Sequence, residues 1–266
     1  MNSLLLKALT SFSSSCNKAM LQANDEDRIK LTLKVLHKNR IPINPAEIEA
    51  WLVANHWPSR SVTSIVSALA LRNALSDPGL GASAFWEQFW DRTHYHAIAC
   101  ARLARQLRFI SAEGAFTFGL FNDCGIPLLA RRFADYSETL RLAATTDRSL
   151  VDVENERHHV SHTLVGSILA QTWQLPDLVC DAIRDHHRFA LFYGDAAAGH
   201  GDVAALAAIS LIADDLVNDF LGMPQDAAWL RHGAQALDYL GFDEDELSES
   251  KTDILDELQE AQAYRS

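Results

Sequence analysis

The segment Val203–Leu221 constrains this chain most. Read as a helix, it is apolar around most of its circumference, so it must be central and mostly buried. Other helices then have to pack around it. The rest of the sequence agrees with that demand. Helical periodicity dominates, and no alternating apolar-polar runs are joined by hairpin turns. The expectation is an all-α fold.

Before that central segment, residues 26–41 form an amphipathic helix with Ile29, Leu33 and Leu36 inward. Pro42 and Pro45 interrupt it. Pro45 suits the first turn of a second helix, Ala46–Asn55, where a proline forfeits no hydrogen bond. A third helix fits Val62–Leu75, closed by the turn Asp77-Pro78-Gly79-Leu80-Gly81. This turn divides the chain into a small lobe over 1–80 and a larger helical unit over 81–222. A final acidic stretch covers 223–266.

The larger unit begins with a long helix from about Phe85, followed by one ending near Phe121 and another over Pro127–Ala134. A polar connection covers about 143–155. Segment 158–173 is amphipathic, with Val160, Leu164, Val165, Ile168, Leu169 and Trp173 on one broad arc. Leu175-Pro176-Asp177 restarts the chain into a helix over Leu178–His187. A Gly- and Ala-rich loop spans 194–202.

Charge and cysteine usage narrow the function. The net charge is −12, which argues against a broadly electrostatic nucleic-acid binder. Arginines from Arg92 to Arg148 are interspersed with acids and read as a solvated surface. Nine acids and one lysine lie between Asp243 and Glu260, a net −8 of that −12. This stretch reads first as a solvated capping helix and second as a docking helix for a basic partner. The four cysteines form no Cys-x-x-Cys pair, which favours reduced thiols in the cytoplasm. No membrane span and no signal-peptide core is expected.

Ionisable residues in apolar helical surroundings are the remaining signal. Asp123 follows Phe116, Phe118, Leu120 and Phe121, and Asp214 sits among Leu211, Ala213, Leu216 and Val217. His162 lies at the edge of an apolar stripe, and at least one of His186 and His187 points inward. A buried carboxylate is costly unless it is paired, hydrogen-bonded or metal-bound. The order Asp…His…His-His…Asp on successive helices is that of a metal site.

Several segments together resemble the HDOD domain family, regulatory relatives of the HD-type metal phosphohydrolases. They are Ala54-Asn55 with Val62-Thr-Ser-Ile65 and Ala68-Leu69, then Phe89-Trp90-Asp-Arg-Thr93. Gly119-Leu-Phe-Asn-Asp-Cys-Gly125 and His162-Thr-Leu-Val-Gly166 follow, with Trp173-Gln-Leu-Pro176, Ile183-Arg-Asp-His-His187 and Ala213-Asp214. The likeness spans about 45–220. It implies an HD-like helical bundle with a smaller N-terminal helical lobe.

The resemblance also implies a metal site with parts missing. HD hydrolases bind metal through a first His, a His-Asp pair and a late Asp. Here Arg92 stands for the first His and Asn122 for the His of the pair, while Asp123 and Asp214 remain. His162, His186 and His187 stand where some relatives hold a second metal. A fixed guanidinium repels a cation and can pair with Asp123 or Asp214 instead. The implied function is a non-catalytic bacterial signalling module, acting through protein partners and without a resident cofactor. The alternatives are an altered metal-dependent phosphohydrolase, using a divalent metal at Asp123 and the histidines, and a nucleotide or anion sensor using the former pocket.

Overall fold

The protein is described by a computed structural model, which covers residues 84–263 apart from positions 108, 147 and 243. The proposed helices of the 1–80 lobe, and the motifs there, lie outside the described residues. Within them the chain is helical, with no strand. The helices are α1 (Ala84–Leu107), α2 (Ala112–Phe121), α3 (Gly125–Arg132), α4 (Tyr136–Thr145) and α5 (Leu150–His158). Then come α6 (His162–Thr172), α7 (Asp177–Asp185), a 3-10 turn (Phe189–Phe192), α8 (Gly194–Phe220), α9 (Ala227–Leu240) and α10 (Glu244–Ala263).

Helix α8 is the central element that its composition demands. Residues Ala204–Ala213 are all buried, as are Leu216 and Val217. Helices α1, α7, α9 and the 3-10 turn pack around it. The predicted loop over 194–202 is instead helical, with a break in the helix at Gly201.

Short polar side chains fix the helix starts. The Ser111, Ser149, Ser161 and Asp226 side chains each accept a backbone N–H at the start of α2, α5, α6 and α9. Helix α5 begins inside the segment predicted as a polar connection and takes up its last six residues. Its sequence is too polar for a periodic apolar stripe, yet its Ser149 cap and left-handed His159 end define it.

Helix α6 corrects the predicted packing face. Leu164 and Ile168 are 44% and 54% exposed, while Thr163, Gly166, Ser167 and Ala170 are buried. The small residues let α6 approach its neighbours closely. A Cβ on Gly166 would lie 3.2 Å from both Cys124 Sγ and Ile183 Cγ2. Trp173 is buried as predicted, edge-on to Phe121, and Pro176 caps α7.

The acidic C-terminal segment is docked on the bundle. Ile254, Leu258 and Ala261 join the main core. Arg102 pairs with Glu257, Ser250 donates to Gln106 at 2.7 Å, and Lys251 pairs with Asp219 at 2.8 Å. Cys100, Cys124 and Cys180 are buried free thiols.

Candidate metal centre

Three chain segments converge on one point. Asp123 lies in the turn between α2 and α3, His162 opens α6, and His186 and His187 follow α7. One ligand atom from each of these four residues lies within 4.8 Å of those of the others. Gly125 makes the approach possible. A Cβ there would sit 2.0 Å from the His162 carbonyl oxygen, so any larger residue would push α3 and α6 apart.

The hydrogen bonds of the two buried histidines define their tautomers. Glu154 is fully buried and faces donors only. It accepts from Tyr136 Oη, from the His162 backbone N–H at 2.9 Å and from His162 Nδ1 at 2.7 Å. Nδ1 of His162 therefore carries a proton. His186 Nδ1 lies 2.8 Å from the Ile183 carbonyl, which can only accept, so it too carries a proton. In the neutral rings Nε2 is then the lone-pair nitrogen.

Both Nε2 atoms are buried and have no hydrogen-bond partner. They face Asp123 Oδ1 at 3.4 Å from His162 and 3.7 Å from His186. Those distances exceed the 2.7–3.2 Å range of an N–H···O hydrogen bond. Orphaned buried nitrogens aimed at a carboxylate are what a cation site requires. Three imidazoles and a carboxylate suit a zinc-class or other divalent transition metal. Asp123, His162, His186 and His187 would hold it, and the ion when bound would supply a concentrated positive charge.

The electrostatics are mutually coupled. Burial raises the Asp123 pKa, but contact with His186 and the charges of the three histidines outweigh it, holding the carboxyl well below its ordinary range. Burial opposes charge on His162, but Glu154 and then Asp123 outweigh it and raise its pKa. His187 is held well below the usual value, by burial first and then by His186 and His162.

Asp214 lies apart from this cluster. Arg92 reaches it through Nη2 at 2.8 Å and donates through Nη1 to Asn218 Oδ1 at 2.7 Å. Asn122 caps α2, with its side-chain nitrogen 3.5 Å from Asp123 Oδ2. The structure thus gathers four of the five candidate ligands and places the fifth against Arg92. Glu154 and Tyr136 escaped the sequence reading, because a lone Glu in a polar stretch carries no signal of burial. His96 is buried between the Gly119 and Ser210 carbonyls, with its Nε2 3.8 Å from Asp214 Oδ1.

No helix among the described residues is long and apolar enough to cross a membrane. A family model of the HDOD domain matches residues 59–189, and one described only as a domain of unknown function (DUF1889) matches residues 1–92. No curated protein is significantly similar. Two solved structures are similar to this chain. An HDOD domain protein of unknown function from Geobacter sulfurreducens aligns with a TM-score of 0.59 at 17% identity, covering 98% of this chain and 92% of its own. A Shewanella amazonensis SB2B protein provisionally named a phosphohydrolase aligns with a TM-score of 0.58 at 18% identity, covering 96% and 98%. At such identities the likeness speaks for the fold alone. The family match shows that residues 59–189 of this chain are a member of the HDOD domain family.

Proposed function

We propose that this protein is a non-catalytic bacterial regulatory module in which the HD hydrolase site is dismantled. The supporting observation is the seat of Arg92 on Asp214 at 2.8 Å. By the family resemblance, these two positions would supply the first and last ligands of the hydrolytic metal. A guanidinium keeps its charge at any physiological pH. It satisfies the late carboxylate and sets a fixed positive charge where an ion that activates water would sit. The helical scaffold remains, available for contacts with signalling partners. The proposed organisation is a 1–80 lobe, an 81–222 bundle and a 223–266 acidic extension.

The runner-up is metal-dependent phosphohydrolysis at a displaced site, favoured by the Asp123–histidine cluster. One assay separates the two. The full chain is incubated with manganese, magnesium or zinc and a panel of nucleoside phosphates and cyclic dinucleotides. The regulatory reading expects no turnover above that of Asp123→Ala. Turnover that this substitution abolishes would overturn it.

A further inference from the structure

The cluster itself permits a sharper statement, one that goes beyond the regulatory reading and stands on separate geometry. We propose that Asp123, His162, His186 and His187 bind one zinc-class ion as a closed four-ligand site, buttressed by Glu154 and Tyr136, which clamps the α2–α3 turn to α6 and α7. Three observations carry it.

The first is spacing. A tetrahedral ion with bonds of about 2.0–2.1 Å places its ligands roughly 3.3 Å apart. The Asp123 oxygen lies 3.4 Å from His162 Nε2 and 3.7 Å from His186 Nε2. These separations are long for hydrogen bonds and near that ligand edge. The remaining donors are within 4.8 Å of one another.

The second is donor number. Three nitrogens and one oxygen complete a four-coordinate shell. Catalytic zinc sites hold three protein ligands and leave one position for water or substrate, whereas structural sites are filled by protein. The late acid, Asp214, is held by Arg92 and adds no fifth ligand. A filled shell assigns this ion a stabilising or sensing part.

The third is the support behind His162. Glu154 holds both the ring and the backbone N–H of that residue, and Tyr136 donates to the same carboxylate. A carboxylate behind a histidine fixes the ring orientation and raises its basicity as a ligand. Glu154 touches no reacting atom, so it is a positioning residue.

The test uses the full chain stripped by chelator and titrated with cobalt(II), then zinc(II). One equivalent of cobalt should produce the intense visible absorption of a four-coordinate ion, which zinc then displaces. Zinc at about a thousandfold excess over Kd should raise Tm by roughly 8–16 °C. Glu154→Gln should weaken cobalt binding by about 10–100-fold. Should that buried substitution fail to fold, the partly buried His187→Gln provides the second arm. It should keep its helical circular dichroism and lose the four-coordinate spectrum. Absence of both cobalt absorption and a zinc shift in the wild type would overturn the site. A weak six-coordinate spectrum would overturn its closed character. Unchanged affinity in folded Glu154→Gln would overturn the buttress. Turnover is measured separately, so the regulatory reading can fail without this one, and the reverse.

Discussion

Gly125→Ala tests how closely α3 and α6 must approach to form the centre. The new Cβ would lie 2.0 Å from the His162 carbonyl oxygen, 2.8 Å from its carbon and 2.9 Å from its Cα. All three are backbone atoms and cannot rotate aside. A tolerable carbon–oxygen contact is roughly 3.3 Å, so the helices must separate by about 1.3 Å. Overpacking of this kind costs about 1–3 kcal/mol and more where backbone is displaced. Alanine's better helix propensity offsets at most about 1 kcal/mol. The net loss should be near 3 kcal/mol, or about 6–12 °C in Tm for a domain of this size. The control is Gly114→Ala in α2, where the nearest atom would be 3.6 Å away. That change should be neutral or stabilise by up to about 1 kcal/mol. Urea melts followed by circular dichroism measure both. Equal midpoints for wild type and Gly125→Ala would refute the close approach of α3 and α6.

Trp173→Ala should cost about 3–5 kcal/mol, whereas Ile168→Ala on the exposed face of α6 should stay within about 0.5 kcal/mol. Similar losses in the two melts would mean that the helix is rotated. Arg92→Ala should cost only about 1–2 kcal/mol, because Arg92 and Asp214 are 29% and 24% exposed. Arg92→His with Asn122→His should add a second cobalt equivalent, and a titration ending at the wild-type stoichiometry would refute the inherited geometry. His187 has a depressed pKa in the fold, so the unfolded chain takes up its proton first as pH falls below about 6.5. Metal-free stability should therefore drop on acidification, by at most about 1.4 kcal/mol per pH unit for that proton. His162 has the opposite shift, and its contribution is lost as pH rises through its raised pKa. An acid-side slope that His187→Gln leaves unchanged would refute the assignment.

Patterns that depend on composition over many residues were legible in the sequence. Val203–Leu221 announced a central helix because nearly every side chain needed burial. Trp173 and Pro176 marked a helix end and a restart. The α6 face was misread because apolar size pointed to Leu164 and Ile168, whereas close packing selects small residues on the other side. Helix α5 was missed because its stability comes from a serine cap and from buried Glu154, neither of which makes a stripe. At the centre, residue order identified Asp123 and the three histidines. It left Arg92 a choice between Asp123 and Asp214, and could not foresee that Arg92 would take Asp214 together with Asn218, since that depends on the rotation of α1 against α8.

The docking of α10 on α1 joins the two ends of the described chain. Arg102 and Glu257, 155 residues apart, meet at this seam, and Ile254 and Leu258 complete the core beside it. Such a contact cannot form during synthesis until residues 244–263 have emerged. Until then, the flank of α1 that this helix covers stays open to solvent. Long-range closure of this kind slows folding and prolongs the exposure of apolar surface. The acids on the outer face of α10 also give this late-arriving segment a strong like charge. Before docking, that charge would keep the unfinished domains of neighbouring nascent chains apart.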